Sequence, residues 1–181
     1  MKGELIENRI VVWDLEQSRQ LFSEGFYGKP LGVAKPKGTD FETPLILDLI
    51  EAYYLARNGR LTIYHKKENN MISVKQMNNR CRREYADFDN KYLVFTELRK
   101  NGYVVTPGIK FGCDFAVYEH GPGIDHAPYL VQVVKPKDTL TATGIILAGR
   151  LATTVRKQFI LAVARLKERK VEFVAFDWWR A

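Results

Sequence analysis

The segment Tyr118-Glu119-His120-Gly121-Pro122-Gly123-Ile124-Asp125-His126-Ala127-Pro128-Tyr129 places a phenol and an imidazole eight residues apart. Strand-like residues lead up to the tyrosine, a Gly-Pro-Gly turn reverses the chain, and the histidine precedes a second strand-like run. A loop of this kind can bring both side chains to one end of a sheet. Lys157 offers a third group. On a helix it falls about 200° around from Val155, away from the apolar stripe. Arg150, seven residues earlier, then shares nearly the same face, so one helix would present two cations to a phosphate-bearing ligand.

A phenol, an imidazole and an ammonium group suit attack of a ribose 2′-hydroxyl on its neighbouring phosphodiester. That reaction needs a base at the 2′-oxygen, an acid at the leaving 5′-oxygen and a cation for charge growing on phosphate. Histidine, with a reference pKa near 6.5, is a natural acid. Lysine serves phosphate as a point charge. Tyrosine, at about 10, is an awkward base, and nearby cations are expected to pull it down. Internal attack needs no metal-activated water, and neither a metal ion nor another cofactor is expected. Each residue alone has a plainer reading: packing for the tyrosine, a structural role for the histidine, solvation for the lysine.

These groups must be held by a chain of 181 residues with net charge +7. The length suits one domain or two small ones, and the charge favours an anionic partner, nucleic acid first. From Arg150 to Lys170 there are seven basic residues and one acid, Glu168. No run approaches the roughly 18–20 apolar residues of a membrane helix, and the start does not read as a secretion signal, so a cytoplasmic protein is expected. Cys81 and Cys113 lie outside any metal-binding spacing and read as idle thiols.

Leu5 to Trp13 reads as strand, Asp14 as an N-cap, and Leu15 to Glu24 as a short helix. Gly25 to Thr39 is rich in glycine, proline and lysine and reads as irregular. Thr43 with Pro44 predicts a helix running to Asn58-Gly59. Leu61 to His65 reads as strand, and Ser73 to Asn101 as two helices parted near Asp87–Asn90. Tyr103–Val105, Phe111–Glu119 and Tyr129–Val134 are strand-like. Leu151, Val155, Phe159, Ala162 and Leu166 repeat as one stripe of a long helix within Thr141–Lys170, and Val171 to Trp178 forms a last strand. The pattern predicts an α/β (α+β) protein of two small domains, 1–86 and 87–181. The second is expected to be a central mixed sheet flanked by helices.

The run Gly112 to Tyr118, then Gly121-Pro122-Gly123-Ile124-Asp125-His126-Ala127-Pro128-Tyr129, resembles the signature of archaeal tRNA-splicing endonucleases. Gly149-Arg150-Leu151, followed by Thr154-Val155-Arg156-Lys157, resembles the same family's lysine helix. Gly25 to Gly32 and Pro44 to Ala56 resemble its N-terminal domain. The resemblance covers nearly the whole chain. It implies a nuclease site in the C-terminal domain with Tyr118 as base, His126 as acid and Lys157 as stabiliser. It implies precursor tRNA as substrate, cut at the bulge–helix–bulge of exon–intron junctions, with RNA shape and flipped-out bases read more than sequence. Family members clamp a bulge base between two side chains. Arg150 matches the first position, and Trp178 is the candidate for the second; Trp179 suits a core or interface.

Two departures stand out. Ala152-Thr153 replaces the His-Ser found in many relatives. Self-assembling members carry an acidic loop before the last strand, whereas this chain has the basic Leu166-Lys167-Glu168-Arg169-Lys170-Val171. The resemblance then implies a heterotetramer, two copies of this chain with two of a related structural chain that supplies the loop. Three rivals stay open: the non-catalytic subunit itself, a metal-dependent nuclease of the resolvase type, and a binding module without activity. The metal-dependent reading has little to draw on, since the nearest carboxylate motif is Glu168-Arg169-Lys170.

Overall fold

A computed structural model describes residues 1–34, 36, 38–65 and 70–176. The chain divides into two compact units, Met1–Phe88 with Pro122–Ile124, and Asp89–Gly121 with Asp125 onward. The expected mixed α/β architecture is present, with a sheet in each unit.

The first unit opens with β1 (Lys2–Ile6) and β2 (Arg9–Val12), an antiparallel pair turning at Glu7, whose φ is 50. The continuous strand expected over Leu5–Trp13 is therefore a hairpin. Asp14 caps α1 (Leu15–Gly25) by accepting from the Gln17 N–H at 2.8 Å, as its sequence position predicts. β3 (Lys29–Pro30) follows within the segment expected to be irregular. Gly28, with φ +71, lies so close to β4 (Leu45–Leu47) that a Cβ would stand 2.7 Å from the Ile46 carbonyl oxygen.

The helix expected from Thr43 starts five residues later. Asp48 caps α2 (Leu49–Arg57), its Oδ1 accepting from Ile50 N–H at 3.2 Å while Glu51 Oε2 accepts from Asp48 N–H at 3.0 Å. This reciprocal box outcompetes the Thr-Pro signal because Leu45-Ile46-Leu47 finds strand partners on both sides, β2 and β3. β5 (Thr62–His65), β6 (Asn70–Ile72) and α3 (Val74–Glu84), capped by Ser73, complete the unit. The sheet runs β3-β4-β2-β1-β5-β6, with β1 and β5 parallel. Its core holds Ile10, Val12, Phe22, Leu45, Leu47 and Ile63.

The second unit contains most of α4 (Phe88–Lys100), then β7 (Val104–Pro107), a 3-10 turn at Ile109–Phe111, β8 (Phe115–Tyr118), β9 (Tyr129–Val134), α5 (Ala142–Thr154), β10 (Gln158–Arg165) and β11 (Lys170–Phe176). The sheet order is β11-β10-β9-β8-β7. β9 and β10 are parallel, joined through α5, and the other neighbours are antiparallel. Asp114 ties the sheet together, accepting from Val133 N–H at 2.8 Å and pairing with Lys91 at 2.8 Å.

The long helix expected through Lys170 is overturned. α5 ends at Thr154, and residues 158–165 are a strand. Arg156 takes a left-handed φ of 55. Its N–H then bonds Thr153 O at 3.0 Å, and Lys157 N–H bonds Ala152 O at 2.8 Å. That pair of bonds is a Schellman stop, usually marked by glycine, so an arginine there hides it from sequence. Beyond it, Phe159-Ile160-Leu161-Ala162-Val163-Ala164 lies between β9 and β11. An apolar run of this length fits a buried strand as well as a helix. Of the supposed stripe, Phe159 and Ala162 are buried on the strand, while Leu151 and Leu166 are 45% and 42% exposed. The basic stretch 166–169 is accordingly a hairpin turn between β10 and β11, with Arg165 opposite Lys170. No helix among the described residues is long and apolar enough to cross a membrane.

Candidate active site at one end of the second sheet

Register fixes where the expected groups fall. Val117 on β8 faces Tyr129 on β9, and Tyr129 faces Gln158 on β10. Tyr118 is one step beyond Val117, and Lys157 one step before Gln158. Because β8 runs opposite to both neighbours, these steps go in the same direction, toward one end of the sheet. Two strand spacings of about 4.8 Å put the two backbones roughly 10 Å apart, with Pro128 between them. Gln158 N–H bonds the Pro128 carbonyl at 2.8 Å and locks this row. His126 stands two residues before Pro128 on the same loop. Lys157 therefore does not reach the site from a helix face as expected; the stop at Arg156 delivers it as the residue entering a strand.

Tyr118 is half-buried at the end of β8. Thr106 lies diagonally across on the same face of β7. Burial pushes the phenol above its ordinary value of 10.0; the Thr106 side chain, by hydrogen bonding, pulls it down, and the Asp125 charge pushes it up. The expectation that cations depress this phenol is not met: burial and the Asp125 carboxylate raise it, and what opposes them is the Thr106 hydrogen bond. His126 is exposed on the loop. Lys157 is half-buried, donates from Nζ to the Ala127 carbonyl, and stands 5.4 Å from the centre of the Phe111 ring. Burial lowers its pKa, and Asp125 partly restores it.

Asp125 is the residue that sequence reasoning missed. Its carboxylate accepts three backbone N–H bonds, from Glu119 at 3.0 Å, His120 at 3.2 Å and Gly121 at 2.8 Å. Its own N–H bonds the Gly121 carbonyl at 3.1 Å. Burial opposes its ionisation, but the Gly121, His120 and Glu119 N–H bonds and the His120 side chain outweigh this and hold it below the usual carboxylate range. Gly123, with φ 91, completes the turn. Asp125 thus pins the loop that carries both Tyr118 and His126, and its charge reaches Tyr118 and Lys157 alike. The available signal was an aspartate closing a Gly-Pro-Gly turn, a residue type that bonds nearby backbone.

Arg150 is exposed on α5. Trp178 and Trp179 lie outside the described residues. Among the described residues no group of three His, Cys, Asp or Glu side chains could hold a metal ion. Burial and then Asp48 push the Cys81 thiol up to about 12, and burial and then Asp114 push Cys113 to about 11, so neither is poised as a thiolate.

Comparison with known proteins gives a consistent result. Residues 88–173 match the family model for the tRNA intron endonuclease catalytic C-terminal domain, and residues 1–77 match that for the tRNA intron endonuclease N-terminal domain. A tRNA-splicing endonuclease of Hyperthermus butylicus is 42% identical over 178 residues, 98% of each chain. Those of Sulfurisphaera tokodaii and Saccharolobus solfataricus are 37% and 35% identical over 179 residues, again 98% of each chain.

Proposed function

The chain belongs to the tRNA intron endonuclease family, and from that premise we propose that it cleaves precursor tRNA at bulge–helix–bulge junctions through Tyr118, His126 and Lys157. The observation that carries this reading is the row across β8, β9 and β10, beyond which Tyr118, the His126 loop and Lys157 follow at one end of the sheet.

The chemistry is internal transfer. The 2′-oxygen forms a bond to phosphorus as the bond from phosphorus to the 5′-oxygen breaks. The 2′-hydroxyl proton leaves toward the Tyr118 oxygen, and the His126 imidazolium supplies a proton to the departing 5′-oxygen. Lys157 faces the charge that builds on the phosphate oxygens. The products are a 2′,3′-cyclic phosphate and a 5′-hydroxyl. Burial raises the phenol above its ordinary value, so the base step, which needs the Tyr118 oxygen as phenolate, gains as pH rises. Arg150 on the exposed surface of α5 is assigned to stacking against a bulge base, worth about 1–3 kcal/mol. Trp178 is proposed as its counterpart on sequence grounds alone.

The working enzyme is proposed to be a heterotetramer with a related structural chain. The β10–β11 turn holds Lys167 and Arg169 against the single acid Glu168, so it does not resemble an acidic plug. β11 is the edge of its sheet and leaves Phe173 and Val174 42% and 46% exposed, which suits pairing with another chain.

The test mixes the chain with a candidate partner and a bulge–helix–bulge RNA in chelator, and maps the product ends. Tyr118→Phe, His126→Ala and Lys157→Ala should each slow cleavage by about 10²-fold or more. Cleavage that survives all three together overturns the assignment, and complete loss on chelation restores the metal-dependent rival.

A further inference from the structure

The first unit carries a groove of about 550 Å³, distant in sequence from Tyr118, His126 and Lys157, and most of the side chains that line it are basic or amide-bearing. α3 contributes Gln76, Asn79, Arg80, Arg82 and Arg83, and His65 closes the groove from the end of β5. Leu5 and Ile72 are the two apolar residues of the lining. Among the described residues the lining has no carboxylate. The one acid of α3, Glu84, accepts from the Asn8 side-chain amide and is not part of the lining.

The groove is built on fixed parts. The helix is capped by Ser73, whose Oγ accepts from Gln76 N–H at 3.2 Å. Gln76, Arg80 and Arg83 follow i, i+4, i+7 and share a face. The Arg80 guanidinium donates to the Glu7 carbonyl and, at 3.0 Å, to Asn8 Oδ1, which ties α3 to the β1–β2 turn. Seven residues of helix span roughly 10 Å, the axial distance over which one strand of a duplex carries about three phosphates. The charge is concentrated as well. Within α3 the sequence has Lys75, Arg80, Arg82 and Arg83 against one acid, Glu84.

We propose that this groove is a second RNA-binding site, holding backbone phosphates of the precursor other than the one that is cut. Guanidinium groups suit phosphate through paired N–H donors, and the amides of Gln76 and Asn79 add neutral donors along the same line. A docked protein loop fits less well. Protein interfaces are anchored by aromatic or aliphatic side chains in well-packed pockets, and here Leu5 and Ile72 offer little such surface. The inference rests on the chain handling RNA, but not on how it cleaves RNA.

The experiment measures binding without cleavage. Full-length chain carrying Tyr118→Phe, assembled with its partner, is titrated with precursor tRNA in chelator across about 50–200 mM salt. The same titration is run with Arg82→Gln and Arg83→Gln added, and with both arginines changed to lysine. Circular dichroism checks that the exposed substitutions leave the fold intact. Loss of two phosphate contacts should weaken binding roughly 30-fold near 0.15 M salt and flatten the log–log salt slope by about 1.4–1.8, with most of both recovered by lysine. In the cleaving enzyme the same pair should raise KM and leave kcat unchanged. Unchanged affinity and salt slope overturn the proposal. So does unchanged RNA affinity with lost partner association, which would make the groove a protein-docking surface. End mapping reads the chemistry and this titration reads the groove, so either can fail while the other stands.

Discussion

Replacing Asp125 by asparagine tests how the loop serves the site. The carboxylate uses both oxygens, Oδ2 toward Glu119 and His120 and Oδ1 toward Gly121. Asparagine keeps one acceptor oxygen, so at least one of three bonds is lost and the others become neutral. A charge-assisted bond contributes about 1.5–3 kcal/mol and a neutral one about 0.5–1.5. Partial solvent exposure of the loop discounts this. A net cost of roughly 1–2 kcal/mol in holding the productive loop corresponds to about 5–30-fold in rate. The pH profile gives a sharper sign. The Asp125 anion disfavours the Tyr118 phenolate and favours the Lys157 cation, so it raises both values. Removing the charge lowers both. The part of the profile set by a phenol that must lose its proton should therefore move toward acid. Single-turnover cleavage of a bulge–helix–bulge RNA by the assembled enzyme, followed from about pH 6 to 11, reads both effects. A variant with the parent rate and an unmoved profile would refute the placement of Asp125 as the element that positions the site.

Three further outcomes follow from the same geometry. Lys157→Ala should lower kcat by about 10²-fold with little change in RNA affinity, because its charge acts on the transition state; a change confined to KM would argue against this role. Asp48→Ala should cost about 1–2 kcal/mol of stability in a denaturant melt by removing the α2 cap, and Asp48→Asn less. Burial holds Asp48 above its ordinary value of 3.8, so its contribution is fully present below that value and declines as pH rises through the raised one. The asparagine variant should lose this dependence. Finally, the chain alone should behave as a weakly active or inactive dimer by light scattering and cleavage assay, with activity appearing when the structural partner is added; full activity as a homotetramer would remove the partner from the proposal.

Local signals whose physics is complete within a few residues were legible in the sequence. Asp14 caps α1 as its type and position promise, a helix follows Ser73 as expected, and the Gly-Pro-Gly turn between Tyr118 and His126 forms where its residue types demand. The two-part α/β architecture followed from these elements. The sequence also nominated Tyr118, His126 and Lys157, because their chemistry and order can be read without coordinates. What it misplaced was the element that carries Lys157, read as a helix where the residue in fact enters β10. The spacing of apolar residues from Leu151 to Leu166 satisfies a helical period, while the run 159–164 equally satisfies a strand buried between two others. Only the presence of β9 and β11 as partners selects the strand. A left-handed arginine at 156 then ends α5 without the usual glycine. Asp125 shows the same limit from another side. Its type promised a bond to nearby backbone, but three N–H groups facing one carboxylate exist only after the loop has closed. Backbone propensity acts over a few residues and is carried by the chain itself, whereas pairing across a sheet and the meeting of charges require segments that only folding brings together.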